Sequence, residues 1–553
     1  MLYRPAVGVH SLRTHDISRE RWATLTFLLV SATICAVGAA VRLLPGSLHG
    51  LWLDESTSLT AAMESRPDQA LISAVLHESH PPLYDLLLWA WIHLLPSVEG
   101  ARLLSVLAGT AAIALAMLLA ASLWGRRAAL IAGALGASSP WHSYYSGEMR
   151  MYALESALGM LTVYAAWRAI GRGTWGDWTF YAISALAFAW SDFFAVFALA
   201  GLAAWTCLKA RLAVGQDRRW TVSHVAVGVG LIPLLPLILG SLIRGAGSGD
   251  RSGVWRVATL LADFGAGFAA PAWIQVAGAA CALLLVGLAA LRLRSDTGLT
   301  LLGVYAFSPI ATVFAAGLIT PVWVERSLLF VVPALWVMAA GALVKGAAGA
   351  STLTGSATAV AVLSFGLVEL AALQAQLADD HSLYQRLPSA RAYEFAASHE
   401  SRGERFLNAD VATAAPLIAR DRLSHQTPLQ WEATSQRHPQ MEALVHSRTP
   451  GRLANYLIEL QGRLAWDPAT RRVTYSDIGR WSNESPAFWL VILERSDLTM
   501  GAPMQRLDAR LAGGAVGKSD FRLVAGAIPP DYQQDRRVEI EGTLFIHFSR
   551  SNR

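Results

Sequence analysis

Apolar runs separated by short polar segments fill the chain up to residue 376. The run ATLTFLLVSATICAVGAAVRLL at 23–44 has the roughly 20 residues that a helix needs to cross a bilayer. No small-residue cleavage site follows it closely, so we interpret it as a retained helix rather than a signal peptide. Similar runs recur at 101–123, 127–143, 153–170, 177–209 (two short helices), 222–243, 272–292, 299–319, 328–345 and 353–376. The pattern predicts a mainly α, polytopic membrane bundle with about eleven spans.

One apolar run, HPPLYDLLLWAWIHLLP at 80–96, breaks the alternation. If it crossed the membrane, the pair Arg126–Arg127 would lie outside, whereas positive residues favour the cytoplasmic side. Asp85 and His93 also fit a helix in the interface better than one that faces lipid. We therefore predict that 80–96 does not span.

Positive residues orient the bundle. Arg13, Arg19 and Arg21 precede the first helix and place the N-terminus inside. The segment 45–100 then forms an outer loop. An odd number of spans leaves residues 377–553 outside, so we predict a membrane domain over 1–376 and an extracytoplasmic domain over 377–553. The predicted location is a bacterial cytoplasmic (inner) membrane.

The C-terminal region is more polar than the bundle. Strand-like runs occur at 487–494 (AFWLVILE) and 538–548 (VEIEGTLFIHF), and 410–421 (DVATAAPLIARD) is helix-like. This mixture predicts a small α/β domain.

Composition excludes an ordinary soluble protein. Of the 553 residues, 54% are hydrophobic and 15% charged, and the mean hydropathy is +0.39. The net charge of +5 is spread over short loops, where membrane orientation explains it, and we predict no nucleic-acid partner. Cys35, Cys207 and Cys281 all lie in apolar runs, so we predict neither a disulfide nor a thiolate metal cluster.

Polar residues collect at the outer ends of the predicted helices. They are Asp54 and Glu55 in LWLDESTS, His80 and Tyr84 in HPPLY, Tyr144, Tyr145, Glu148, Arg150 and Tyr152 in SYYSGEMRMY, Asp192 in WSDFF, and Trp323, Glu325 and Arg326 in VWVERS. Each has a plainer explanation, such as helix capping, a structural ion pair or the interfacial aromatic belt. Their convergence on one side favours a polar cleft, because charges at membrane depth face a cavity or one another. Adjacent helical residues point in different directions, so one of the two neighbouring carboxylates faces this cleft.

The chain has no phosphate-binding loop of the GxxxxGK[ST] type, no HExxH and no GxSxG elbow. A nucleotide-driven mechanism therefore has no support. An outer cleft with carboxylates and arginines suits a donor whose lipid stays in the bilayer and whose phosphate meets arginine.

LWLDESTS, HPPLY, SGEMRMY and WVERSLLFVVPAL, in this order, resemble motifs of the GT-C class of membrane glycosyltransferases. The resemblance is nearest to bacterial relatives of the protein O-mannosyltransferases and of the aminoarabinose transferase, and it covers about residues 24–376. The C-terminal domain resembles, more vaguely, the extracytoplasmic domain of such proteins. The resemblance implies transfer of a sugar from a polyprenyl-phosphate carrier to an acceptor on the outer side of the membrane.

The same resemblance implies roles for individual residues. Asp54 matches the family's catalytic base and Glu55 its neighbour, while His80 with its two prolines matches the second motif. Arg326 matches the arginine that holds the donor phosphate, although Ser327 follows it where relatives usually have tyrosine. The predicted donor- and phosphate-binding residues are Arg326, Arg150, His80, Tyr84, Glu148 and Tyr152.

The expected chemistry is an inverting single displacement. A carboxylate takes the proton of the acceptor hydroxyl, and arginine neutralises the leaving phosphate, so no general acid is needed. A retaining mechanism would need a second, nucleophilic carboxylate, and we find no dedicated candidate. His80 with Asp54 or Glu55 could bind a divalent metal ion, but no ligand spacing requires one.

Three other functions remain open on the sequence alone. A polysaccharide ligase or polymerase would use the same carrier but move a whole glycan. A transporter or flippase would also contain many helices and charges, although its charges typically lie at the midplane. A scaffold protein with the same fold but without catalysis is disfavoured by the presence of both Asp54 and Arg326. The sequence does not specify the sugar, and the acceptor could be a protein, a lipid or a glycan.

Overall fold

The computed structural model describes most of the membrane bundle and parts of the C-terminal region. The described residues are 9–48, 51, 53–77, 80–212, 217–238, 251–267, 270–291, 296–349, 352–378, 389–400, 406–408, 457–459, 464–467, 472–475, 487–493, 532–540 and 543–550. The predicted helix at 410–421 lies outside them.

Helices dominate the described part of the chain. They are α1 (Val9–Leu48), α2 (Leu53–Ala62), α3 (Pro67–His77), α4 (Leu83–Ile92), α5 (Val98–Trp124), α6 (Arg126–Ser138), α7 (Pro140–Ser146), α8 (Tyr152–Arg172), α9 (Trp175–Ala189), α10 (Ala195–Leu212), α11 (Asp217–Leu231), α12 (Val254–Ala266), α13 (Ala272–Ala290), α14 (Thr297–Gly317), α15 (Val332–Gly349), α16 (Thr352–Ala378) and α17 (Ser389–Glu400). Short 3₁₀ helices cover Ile232–Leu234 and Glu325–Val331.

Among the described residues, seven helical segments are long and apolar enough to cross a membrane. They are Glu20–Leu44, Val98–Trp124, Arg218–Ile238, Ala272–Ala290, Thr297–Gly317, Glu325–Lys345 and Ser356–Leu377. The other four predicted spans are present as α6 with α7, α8, α9 and α10. The mainly helical, multi-pass membrane architecture is therefore confirmed.

Two local features differ from the sequence prediction. The predicted helix 127–143 is broken at Ser139, whose backbone is extended, because Pro140 starts a new helix at its first turn. Helix α12, Val254–Ala266, was not predicted at all. Helix α4 has only ten residues, a length of about 15 Å, and is too short to cross, as predicted.

Burial separates the centre of the bundle from its periphery. The hydrophobic window of Glu325–Lys345 is 83% buried, whereas that of Glu20–Leu44 is 11% buried. Helix α15 therefore forms the centre and α1 lies at the edge. Helix α5 packs against α1, α6, α8 and α15. Helices α2, α3 and α4 pack against one another, and α2 and α4 contact α5.

The described C-terminal strands form a five-stranded mixed sheet beside α17 and a separate two-stranded sheet. They are β1 (Phe406–Asn408), β2 (Leu457–Glu459), β3 (Leu464–Asp467), β4 (Arg472–Tyr475), β5 (Ala487–Leu493), β6 (Tyr532–Ile540) and β7 (Thr543–Arg550). Five of them pair in the order β2-β1-β5-β7-β6, with β1 parallel to β2 and β5. Strand β7 is antiparallel to β5 and β6, in register Trp489↔His547 and Val538↔Phe545, and β3 pairs with β4.

Candidate active site

The site begins at the first turn of α2, which follows the end of α1. Asp54 and Glu55 both lie in this turn. Negative side chains are favourable there because the helix dipole places partial positive charge at the N-terminus. The two carboxylates nevertheless enter very different surroundings.

Glu55 is fully buried and tightly held. Arg102 of α5 donates to both of its carboxylate oxygens, from Nε at 3.0 Å and from Nη2 at 2.8 Å. The backbone N–H of Met149 donates to Glu55 Oε1 at 3.0 Å. A buried carboxylate needs such a bidentate cation and additional donors to offset its lost hydration. Glu55 therefore anchors α2 to α5 and to the turn before α8.

The side chain of Asp54 is partly exposed. Its side chain is 25% exposed, and its Oδ2 lies 3.3 Å from Nη2 of Arg326, whose side chain is 35% exposed. Arg326 belongs to the 3₁₀ helix that leads into α15. The first and the last motifs of the membrane region therefore meet at one ion pair.

Arg150 and Tyr152 complete the surroundings of this pair. Arg150 Nη1 donates to the carbonyl of Asp54 at 3.2 Å and to Ser58 Oγ at 2.9 Å. The guanidinium of Arg326 lies 6.0 Å from the ring centre of Tyr152, a cation–π distance. Tyr145 packs edge-on against Tyr152 at 5.1 Å. Two arginines and an aromatic wall thus surround one accessible carboxylate.

A polar contact to α12 fixes the residue before Arg326. Glu325 Oε1 accepts a hydrogen bond from Trp323 Nε1 at 3.0 Å and lies 3.5 Å from Arg256 Nη1. The side chains of Arg256 and Glu325 are 14% and 13% exposed. This contact orients the start of the 3₁₀ helix.

The HPP motif joins the turn between α9 and α10. His80 Nδ1 lies 3.3 Å from Asp192 Oδ2, and Asp192 Oδ1 accepts from the N–H of Phe194 at 2.7 Å. The N–H of Leu83 donates to the carbonyl of Trp190 at 3.2 Å. His80 therefore contacts the carboxylate of Asp192 and not that of Asp54 or Glu55.

Tyr84 and Glu148 occupy buried supporting positions. The hydroxyls of Tyr84 and Ser105 lie 2.8 Å apart, and burial raises the pKa of Tyr84, so its phenol stays protonated. Glu148 is buried in the turn between α7 and α8, and its carbonyl accepts from the N–H of Arg150 at 2.8 Å.

Sequence reasoning missed two arginines that organise the site. Arg102 lies in an otherwise apolar helix, and an arginine at membrane depth signals a buried partner. Arg256 lies in GVWRVATLLADFG, whose apolar residues recur with helical period. Neither pattern predicts the partner residue, because Glu55, which pairs with Arg102, and Glu325, which pairs with Arg256, lie on other elements.

In the part of the chain that the structure describes, no three His, Cys, Asp or Glu side chains are grouped so that they could hold a metal ion.

Part of the sequence and the fold as a whole are similar to known proteins. Residues 79–239, which contain five of the predicted site residues, match the family "Dolichyl-phosphate-mannose-protein mannosyltransferase". The fold is similar to the crystal structure of ArnT from Cupriavidus metallidurans bound to undecaprenyl phosphate, with a TM-score of 0.53 and 13% sequence identity. That match covers 95% of this chain and 98% of the other.

The chain shares the fold of ArnT over nearly its whole length. The apo structure of the same ArnT agrees, with a TM-score of 0.54, 12% identity and coverage of 96% of this chain and 98% of that one. No curated protein sequence matches the chain. The predicted fold class, a multi-pass helical membrane bundle of GT-C type, is thereby confirmed.

Proposed function

We propose that this protein is a glycosyltransferase, which moves a sugar from a polyprenyl-phosphate carrier to a hydroxyl of an acceptor, with Asp54 as the general base. The observation that carries the proposal is the 3.3 Å contact between Asp54 and Arg326, both partly exposed. Glu55, by contrast, is buried and bound on both oxygens. Asp54 is therefore the carboxylate that an acceptor can reach.

Arg326 supplies the positive charge for the donor phosphate. A phosphate that binds Arg326 competes with Asp54 for the same guanidinium, which presents a planar fork suited to phosphate oxygens. Once the phosphate takes this contact, the carboxylate of Asp54 is released beside the sugar. Arg150 and Tyr152 line the same space. His80, Tyr84 and Glu148 hold the surrounding elements in position.

The proposed reaction is one displacement at the anomeric carbon. The acceptor oxygen forms a bond to that carbon as its proton moves to Asp54. The bond from the anomeric carbon to the phosphate oxygen breaks, and the electron pair leaves with the polyprenyl phosphate. Attack opposite to the leaving group inverts the configuration.

The carrier and the compartment rest on separate arguments. The ArnT structure contains undecaprenyl phosphate, which supports a polyprenyl carrier for this chain. We further propose that the N-terminus lies inside a bacterial inner membrane, that 1–376 is the catalytic domain, and that 377–553 lies outside, over the cleft or on the acceptor. The distribution of lysine and arginine supports this orientation.

The test supplies purified protein with a panel of radiolabelled polyprenyl-phosphate sugars and a total membrane extract, and then identifies the labelled product. We expect one donor to give a product that carries a single added sugar, and Asp54→Asn to give none. Transfer of a whole glycan would favour a ligase or polymerase instead. Solute movement without any covalent product would refute the transferase.

A further inference from the structure

A buried polar cluster lies behind the site, in the interior of the bundle. Its members are Arg42 of α1, Ser138 of α6, His142 and Ser146 of α7, and Glu369 of α16. Arg42, His142 and Glu369 are each 0% exposed. Charged residues among apolar helices are unfavourable unless they have partners, and they usually carry a function.

Arg42 joins three helices. Its Nη1 donates to the carbonyl of Gly38 on its own helix at 2.9 Å. Its Nη2 donates to the carbonyl of Gly136 on α6 at 2.9 Å and contacts His142 Nδ1 on α7 at 2.9 Å. The break at Ser139 lies between these two attachment points, so one guanidinium fixes the angle between α6 and α7.

The chemistry of this contact defines the state of His142. Arginine has only donors, so His142 Nδ1 is the acceptor and the ring is neutral with its proton on Nε2. Ser146 Oγ donates to the carbonyl of His142 at 2.6 Å, and Ser143 Oγ donates to the carbonyl of Val41 at 3.4 Å. Helix α7 is therefore tied to α1 at His142 and Ser143.

Close packing restricts α7 where it faces α5. A Cβ atom added at Gly109 of α5 would lie 2.2 Å from Ser146 Oγ, 2.7 Å from Ser146 Cβ and 3.2 Å from Arg42 Nε. The serine hydroxyl can rotate away but its Cβ cannot, so a side chain at residue 109 would push α5 and α7 apart. Arg42 and α5 thus contact the same part of α7.

Helix α7 leads directly into the turn that organises the site. Three residues after Ser146, the N–H of Met149 donates to Glu55, and Arg150 donates to the Asp54 carbonyl and to Ser58. A shift of α7 therefore moves the contacts that orient both carboxylates of α2.

Glu369 of α16 also contacts the region of the break. Its Oε2 accepts from Ser138 Oγ at 3.0 Å, at the end of α6. A further helix is therefore attached to the residue that directly precedes Ser139.

We infer that Arg42 is a positioning residue for sugar transfer, which acts through His142 and α7 on the Met149–Arg150 turn and thereby on Asp54 and Glu55. The inference rests on the proposed function for the role of Asp54. Loss of the guanidinium leaves Arg326 in place, so it lowers turnover while donor binding stays nearly unchanged.

The main test variant is Arg42→Gln combined with Glu369→Gln, which removes the guanidinium and leaves no ionisable carboxyl group in the cluster. Arg42→Lys is the second variant: it keeps the charge, but its single ammonium replaces the planar fork that spans Gly136 and His142. The matched control is Arg126→Gln. Arg126 also joins α6 to α1, through Thr24 Oγ1 at 2.9 Å, but at the far end of α6 from α7.

Hydrogen exchange of the peptide 145–152 gives a readout that needs no activity. We expect faster exchange in the double variant, a smaller increase in Arg42→Lys, and wild-type exchange in Arg126→Gln. We also expect turnover to fall roughly 10- to 100-fold in the double variant, the scale of a displacement of about 1 Å at a catalytic group, with donor KM within about twofold.

The outcomes separate the two proposals. Unchanged exchange and turnover in the double variant would overturn the positioning role, whatever Asp54→Asn does. If Arg126→Gln lost as much turnover and as much protection from exchange, the effect would come from helix packing in general, and the positioning role would also be overturned. If the double variant does not fold, wild-type exchange and turnover in Arg42→Lys refute the role. Full activity of Asp54→Asn would refute only the proposed function, because the hydrogen-exchange result does not depend on activity.

Discussion

At the scale of residues, Asp54 and Glu55 are neighbours in sequence but belong to different environments. Glu55 is closed off by Arg102 and a backbone amide, whereas Asp54 shares a partly exposed ion pair with Arg326. The sequence predicts that one of them faces the cleft, because adjacent helical residues diverge. It does not predict which one, since the choice depends on Arg102, a residue on another helix.

Asp54→Asn keeps the shape of the side chain and removes the proton acceptor. We expect single-turnover rates to fall roughly 10²- to 10⁴-fold, the usual contribution of a general base, while donor affinity is retained. Rapid-quench kinetics and equilibrium donor binding on the same preparation check this. Wild-type turnover would show that another group accepts the proton.

Glu55→Gln weakens the attachment of α2 to α5 rather than the proton transfer. The change leaves Arg102 buried without its counter-charge, which destabilises by about 3–5 kcal/mol, so we expect a clearly lower thermal midpoint and a smaller loss of turnover than in Asp54→Asn. Asp68→Asn is the control, because its ion pair with Arg66 is exposed at 55% and 68% and contributes little. A variant that is stable but inactive would identify Glu55 as the base.

Arg326 separates donor binding from proton transfer. Arg326→Ala removes the phosphate contact, so both donor affinity and turnover should fall. Arg326→Lys should restore them only in part, because an ammonium is a point charge that cannot form the bidentate fork. Titration with a fluorescent polyprenyl phosphate measures the affinities. Equal affinity in all three proteins would contradict a role in phosphate binding.

At the scale of elements, the ends of the helices carry most of the specific interactions. Asp296 caps α14 by accepting from the N–H groups of Gly298 and Leu299. The same carboxylate accepts from Trp124 Nε1 at 3.2 Å and lies 3.3 Å from Lys345 Nζ. It therefore fastens α14 to the ends of α5 and α15.

This cap makes stability depend on acidity. Burial raises the pKa of Asp296, but the Leu299 amide, the Trp124 indole and Lys345 outweigh it and hold the pKa below its ordinary value. A depressed pKa gives stability that is complete above the unfolded value of about 3.9 and is lost as pH falls through the folded value. Asp296→Asn should lower the thermal midpoint at neutral pH and flatten its decline in acid.

Ser97→Ala is the comparison for this effect. Ser97 caps α5 by accepting from the N–H of Gly100, and loss of such a cap costs about 1 kcal/mol. Serine does not titrate, so this variant should be less stable by a similar amount at every pH. If the two variants show the same pH dependence, the carboxylate of Asp296 is not its source.

At the scale of the whole molecule, the prediction of sidedness is tested directly. We expect a membrane-impermeant maleimide, applied outside intact cells, to label a cysteine at position 98 and to miss one at 126, in a protein without its three native cysteines. The two positions lie at opposite ends of α5. Labelling at 126 from outside would reverse the orientation of the bundle.

The sequence predicts features that depend on nearby residues and does not predict contacts between residues that are far apart in the chain. Periodicity located the apolar helices, and the four motifs met at one end because helix ends follow from alternation across a membrane. Pro140 gave a visible sign of the break at Ser139, but the angle of the break depends on Arg42, far away in sequence. The pairing of Arg102 with Glu55 and of His80 with Asp192 required the fold.

The ion pair between Asp54 and Arg326 has a consequence for the order in which substrates bind. As long as no phosphate is present, the guanidinium of Arg326 occupies the carboxylate of Asp54. An acceptor that arrives first, or a stray water molecule, therefore meets a masked base. We expect a compulsory sequence, donor before acceptor, because only the phosphate contact frees the carboxylate. In steady-state kinetics the acceptor then binds only the donor complex.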